Sequence, residues 1–282
     1  MNSHNSAFWA KSEKIKSLAL SLLLLTVFAF CSCDEFIDSG YHYEEAYSQT
    51  IPLKEAGSFS LNNINGSINL TSSPNLEVVI KATKYARYRK SDLDKIKIDV
   101  IKGDKSVKVE TTYEKRNLGA KVDYEITVPE GIDLELVRTV NGRINVSGKF
   151  ERAELKTVNG SVEAKGEFDW LQAQTTNGSL NLSQVKGRVE LKTTNGSIKA
   201  ELNELSADFS ARTTNGSIRL LLNQEPNAYL TARTVNGSIT VEYPLTVEGQ
   251  ISRRRIEGKL GNGQGPRVDL QTTNGSISLL RY

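Results

Sequence analysis

The chain is 282 residues long and 38% hydrophobic, with 36 Lys and Arg against 33 Asp and Glu, two His and two Cys. A formal charge of +3 makes no electrostatic case for a nucleic-acid partner. Two histidines and two cysteines exclude a His-rich metal centre and a disulfide framework.

At the N-terminus Lys11, Lys14 and Lys16 precede an apolar run from Leu18 to Phe30, followed by Cys31-Ser32-Cys33. The run is too short to span a bilayer, and with its basic lead it reads as a secretory signal over residues 1–33. It resembles a bacterial lipoprotein signal, whose peptidase needs a small residue before the lipidated Cys. Ser32 meets that need for Cys33; Phe30 fails it for Cys31 and, three residues before Cys33, departs from the usual Leu. A conventional cleaved signal with no anchor is the alternative. The first 33 residues hold three Lys and one acidic residue, so the remainder carries +1. With Cys33 as the first mature residue no free thiol remains. The resemblance implies export across the inner membrane and a lipid anchor in the envelope, with the outer membrane as the expected location.

Residues 34–52 read as a tether. Asp34, Glu35 and Asp38 follow the anchor, and the stretch from Ser39, with Tyr41, Tyr43 and Tyr47, has no strong period. Residues 53–130 read as a first repeat coil plus a cap. Phe59, Leu61, Asn63, Asn65, Gly66, Ile68 and Leu70 fit the repeat described below. Leu76 to Tyr88, Ile96 to Lys102, Ser106 to Tyr113 and Val122 to Val128 then read as four longer strands, with turns around Ser91-Asp92, Gly103-Asp104 and Asn117-Leu118-Gly119. An antiparallel cap is expected here, because an open parallel edge invites pairing with other chains.

From residue 131 to 282 one hexapeptide dominates. Thr-Thr-Asn-Gly-Ser-Ile begins at Thr193, Thr213 and Thr272, with variants at Thr139, Thr157, Thr175 and Thr234. Its asparagines, Asn141, Asn159, Asn177, Asn195, Asn215, Asn236 and Asn274, are separated by 18, 18, 18, 20, 21 and 38 residues. Asn65 lies 76 residues upstream of the first. A fixed period near 20 residues marks a stack of units, none of which buries its apolar face alone. The positions two and four residues before the first Thr, and five and seven after it, are apolar in every copy except Glu135. Each copy is therefore a strand, an Asn-Gly turn and a second strand, alternating with period two.

Asn-Gly between alternating strands is also the strongest short hairpin signal, which would give an antiparallel meander. Near-identical residues at every step favour a parallel β-solenoid instead: an all-β, flat, two-sheet coil rising roughly 4.8 Å per turn. In that arrangement the Thr and Asn side chains are expected to point inward and form ladders. Gly66, Gly142, Gly160, Gly178, Gly196, Gly216, Gly237 and Gly275 are expected to supply a positive φ at the corner. The Gly-rich run from Gly258 to Pro266 reads as a long connection filling the place of a missing repeat. The end of the stack after the last coil is expected to have little cover.

Two basic features stand out. Lys81, Lys84, Arg87, Arg89 and Lys90, interleaved with Tyr85 and Tyr88, are the first candidates for a polyanion site. The alternative is that they guard an edge strand. The second is the outward row before each Thr: Arg138, Lys156, Gln174, Lys192, Arg212, Arg233 and Gln271, beside a partly acidic row. Such rows could grip an anionic polymer or form a solvated, mutually paired face.

The lipoprotein-like start, Asn63-Ile64-Asn65-Gly66, the Tyr124-Glu125-Ile126-Thr127-Val128-Pro129 strand and the Thr-Val/Thr-Asn-Gly-Ser-Ile ladder together resemble the bacterial putative-adhesin family, also described as a β-strand-repeat domain of unknown function. The likeness covers nearly everything from Phe59 to Tyr282 and implies an extracytoplasmic β-solenoid, with no catalytic residues to carry over.

After the signal only His42 remains, so no His-dependent triad is available. A solenoid polysaccharide lyase would need clustered carboxylates binding calcium, and Asp169, Asp208 and Asp269 occupy unrelated template positions. Ice binding would need uncharged outward Thr rows, whereas the repeated Thr is in phase with the core. The reading is therefore a non-catalytic, lipid-anchored adhesin or interaction surface without metal or cofactor. Its partners are the membrane and envelope or host polymers or proteins, not nucleic acid. The alternative is a periplasmic structural or envelope-stress accessory protein.

Overall fold

The computed structural model describes residues 40–115, 118–248 and 252–281. The signal-like segment with Cys33, the acidic group behind it, Asn117 of one expected turn, and Tyr282 lie outside the described residues.

Alternation of apolar and polar residues produces strands almost throughout. β1 (Tyr43–Pro52) is followed by β2 (Ser58–Asn62) and β3 (Ile68–Ser73), the two sides of the first coil. Then come β4 (Glu77–Ala86), a short 3-10 turn at Lys90–Lys95, β5 (Ile96–Lys102), β6 (Ser106–Tyr113) and β7 (Ala120–Pro129). β8 (Asp133–Arg138) leads into three 13-residue strands, β9 (Ile144–Lys156), β10 (Val162–Gln174) and β11 (Leu180–Lys192). The remaining strands are shorter: β12 (Ile198–Leu202), β13 (Phe209–Asn215), β14 (Ile218–Leu222), β15 (Ala228–Asn236), β16 (Ile239–Val241), β17 (Leu245–Val247), β18 (Arg255–Leu260), β19 (Arg267–Asn274) and β20 (Ile277–Arg281).

The long strands show how a coil closes. Each Asn-Gly corner ends one strand and starts the next, and the opposite corner is a bend inside β9, β10 and β11. Gly148, Gly166 and Gly187 sit at that bend with φ of 134°, 123° and 100°, a region open to glycine and strained for other residues. One hydrogen-bonded sheet thus folds back on itself to give two faces. On the first face the strand order is β5, β6, β2, β8, the second halves of β9 to β11, β13, β19, β15, β18, β17. On the second it is β1, β4, β7, β3, the first halves of β9 to β11, β12, β14, β20, β16. The central pairings are all parallel, as in a solenoid, and keep one register apart from local irregularities in β2–β8, β8–β9 and β10–β11.

The core lies between the faces. Val137, Leu155, Ala173, Leu191, Ala211, Leu270 and Ala232 are at most 2% exposed, which is the row two residues before the repeated Thr. Phe150 and Phe168 stack at 5.3 Å near the bend. The exceptional Glu135 has a structural cause. β8 carries an irregularity that sets Leu134, not Glu135, opposite Ala153, so the buried position is still apolar.

The first end is capped as expected: β1, β4 and β7 pair antiparallel, as do β5 and β6. Three other expectations need correction. Tyr43–Pro52 is not a tether but a ten-residue strand on β4. Only Ile51 of it is buried, so there was no apolar alternation to read, and backbone hydrogen bonding holds it in place. The last coil in sequence, β19 and β20, is not last in space. It lies between β13/β14 and β15/β16, and β18 covers β15 antiparallel, so the second end is also capped on one face. The Gly-rich run accordingly finishes β18 and turns the chain back, with Gly261 and Gly263 at φ 62° and 72°.

Tyr124 is the largest fully buried side chain, and its hydroxyl lies 2.6 Å from Thr111 Oγ1. Burial pushes it up to about 12 from 10.0 and pushes the neighbouring Tyr113 up as well. A phenol whose pKa is raised by folding stabilises the fold below its unfolded pKa and stops doing so as pH rises through the folded value. Chemical denaturation should therefore show stability falling between pH 10.0 and about 12. Tyr124→Phe should make that fall shallower, and an unchanged profile would count against this tyrosine as its source.

Candidate interaction surface

Everything outward is positioned by the Asn-Gly corner. The repeated Thr faces the core: Thr139, Thr157, Thr175, Thr193, Thr213, Thr234 and Thr272 are at most 6% exposed. Each donates its hydroxyl to the glycine carbonyl of the preceding coil in space, from Thr175 to Gly160 at 2.9 Å and from Thr272 to Gly216 at 2.8 Å. This satisfies a buried hydroxyl that would otherwise cost free energy.

The asparagines depart from the expected inward orientation. The turn breaks the alternation, so all but the half-buried Asn65 point outward and are exposed. They still form a ladder. Each amide donates to the Oδ1 of the preceding coil at 2.7–2.8 Å, running from Asn236 through Asn274, Asn215, Asn195, Asn177, Asn159 and Asn141 to Asn65.

The role of the corner glycines is also corrected. Only Gly66 and Gly275 have positive φ there. What the corner requires is closeness: a Cβ on Gly142, Gly160, Gly178, Gly196, Gly216, Gly237 or Gly275 would lie 1.9–2.1 Å from the carbonyl oxygen of the adjacent corner glycine.

Outside this corner the side chains form straight rows. Arg138, Lys156, Gln174, Lys192, Arg212, Gln271, Arg233 and Arg255 follow one another strand by strand. Acidic residues beside them take up part of the charge: Lys156 pairs with Glu154, Arg188 with Glu190 at 3.3 Å, Arg212 with Asp269, and Arg255 with Glu257 at 3.2 Å. The Arg152 guanidinium carbon lies over the Trp170 ring, 4.3 Å from its centre. At the opposite bend, hydrogen bonding and charge from Lys186, with a further contribution from Lys149, hold the Glu167 carboxyl below the usual range.

Lys81, Lys84, Arg87, Arg89 and Lys90 do not form one patch. β4 is an interior strand between β1 and β7, and positions 81 and 84 fall on opposite faces of it. Lys84 is paired with Glu45 at 2.8 Å, and Arg87 donates to the Gly40 carbonyl and lies over the Tyr41 ring. The stronger basic feature is a shallow groove of about 610 Å³ at the other end of the stack, where Lys192, Arg212 and Arg233 meet Arg254 and Arg255. Its repeat members were visible as a row in the sequence. Arg254 and Arg255 join it only because β18 folds back antiparallel onto β15. Among the described residues, no group of three or more His, Cys, Asp or Glu is placed to hold a metal ion.

This architecture defines an open, mostly parallel β-solenoid whose coils are fastened at a laddered corner. The sequence profile of the Toastrack DUF4097 family matches residues 44–280, and the chain belongs to that family. Among solved structures it is similar to a putative cell adhesion protein from Clostridium sporogenes ATCC 15579, at 14% identity and TM-score 0.38, over 85% of this chain and 100% of that one. A putative adhesin from Bacteroides fragilis NCTC 9343 aligns at 12% identity and TM-score 0.40, over 84% and 97% of the two chains. One from Parabacteroides merdae ATCC 43184 aligns at 11% identity and TM-score 0.37, over 84% and 96%. No curated protein matches.

Proposed function

We propose that this protein is a lipid-anchored cell-envelope solenoid that works as a non-catalytic interaction surface of the adhesin kind. The observation that carries the reading is the pair of ladders at the corner. They hold rows of outward polar and charged side chains in fixed register along the stack, and a preordered surface loses little entropy on binding an extended partner. The anchor rests on Lys11 to Cys33, where Ser32-Cys33 supplies the lipidation site.

The test is protease treatment of intact cells producing the protein, repeated after the outer membrane is opened, with Cys33→Ala as the anchor control. Digestion on intact cells and release of Cys33→Ala from the membrane fraction are the expected results. Protection until the envelope is opened would overturn the surface role and favour a periplasmic structural one. Unchanged membrane association of Cys33→Ala would remove the anchor.

A further inference from the structure

The geometry points to a binding site for a linear anionic glycan in the basic corner groove. Lys192, Arg212, Gln271, Arg233 and Arg255 occupy paired positions on consecutive strands. Four inter-strand steps of roughly 4.8 Å place them on a straight line of about 19 Å. All four cations of that line are exposed, as is Arg254, and no Asp or Glu lines the groove. Arg212 and Arg255 are braced by Asp269 and Glu257 on their own or the neighbouring strand. Lys192, Arg233 and Arg254 make no ion pair among the described residues, so their charge is available.

The second row of the groove decides the class of ligand. Thr214 and Thr273, the outward threonines of their corners, line it with exposed hydroxyls. A row of cations running beside exposed hydroxyl groups matches a polymer that carries sulfate or carboxylate groups among its own hydroxyls. No aromatic side chain lines the groove to stack a nucleic-acid base. Val235 is its one exposed large apolar residue, too little to enter a lipid surface. The site is a row rather than a cup, so it suits a chain better than a single small anion.

This inference rests on the interaction-surface reading, but its test is blind to where the protein sits. The full chain bearing Cys33→Ala, which has no lipid anchor, is titrated calorimetrically in detergent-free buffer with dextran sulfate, neutral dextran and phosphatidylglycerol vesicles. Dextran sulfate should bind, with an affinity that falls as salt is raised; neutral dextran should not. Lys192→Ala/Arg233→Ala/Arg254→Ala should weaken binding about tenfold, the combined loss of three surface charge contacts. Lys81→Ala/Arg89→Ala/Lys90→Ala, equal in charge removed, should change it less than about twofold. No binding of dextran sulfate at low salt, equal losses in the two triple variants, or binding to vesicles in its place would each overturn the site. A periplasmic location in the protease experiment would leave it standing.

Discussion

Replacing Gly178 by alanine is expected to destabilise the stack by about 3 kcal/mol, whereas Asn177→Ala beside it should cost about 1 kcal/mol or less. The added methyl of Gly178→Ala would sit 1.9 Å from the Gly160 carbonyl oxygen. That oxygen cannot step aside. Gly160 N donates to Asn177 O at 3.0 Å and Gly178 N to Asn195 O at 3.0 Å, so backbone on both sides is tied to neighbouring coils. Relief requires the coils to part, which also strains the hydroxyl of Thr175 on Gly160 O. Asn177 loses two amide contacts of 2.8 Å, to Asn159 and from Asn195, but it is exposed and water replaces them. Denaturant unfolding of the two variants measures the difference. Equal midpoints would show that corner crowding does not limit the stack.

Cysteine cross-linking should report the order of coils in space as an all-or-none result. Asn274 is the parallel partner of both Asn215 and Asn236. Asn215→Cys with Asn274→Cys therefore places two Cα atoms about 4.8 Å apart, within disulfide range, and should oxidise almost completely. Asn215→Cys with Asn236→Cys, nearer in sequence, places them two coils and about 9.6 Å apart and should not cross-link within one chain. The reverse pattern on non-reducing gels would mean that the coils stack in chain order and that the strand order given for both faces is wrong. The ladders themselves predict the inserted order, since Asn236 donates to Asn274 and Asn274 to Asn215.

Some local choices were hidden from the sequence for physical reasons. β1 is an exposed strand whose side chains carry no apolar period, so it looked like tether. The corner glycines looked like φ-determined turn residues because Asn-Gly is a turn pair; the contact that demands them comes from another coil. Lys81 to Lys90 looked like the main basic site because charge density along the chain was the only available measure. In the fold those residues divide between two faces and an ion pair, while Lys192, Arg212, Arg233 and Arg254, far apart in sequence, share one groove.

What the amino-acid order alone determined is the repeating unit. Period-two alternation around Thr-x-Asn-Gly dictates strand, corner and strand, and near-identity of the copies dictates parallel, in-register stacking with the Thr row inside. Even the single polar exception, Glu135, is absorbed by a local irregularity that brings Leu134 inward. What only the tertiary structure decided is which coil lies next to which, and what covers the ends. Each coil presents its neighbours with nearly the same Thr, Asn and Gly contacts, so the ladder bonds are nearly equal in energy for any stacking order. The choice falls to features that do not repeat: the β17–β18 hairpin that returns over β15, and the turn at Gly261 and Gly263 that delivers the final coil between its neighbours.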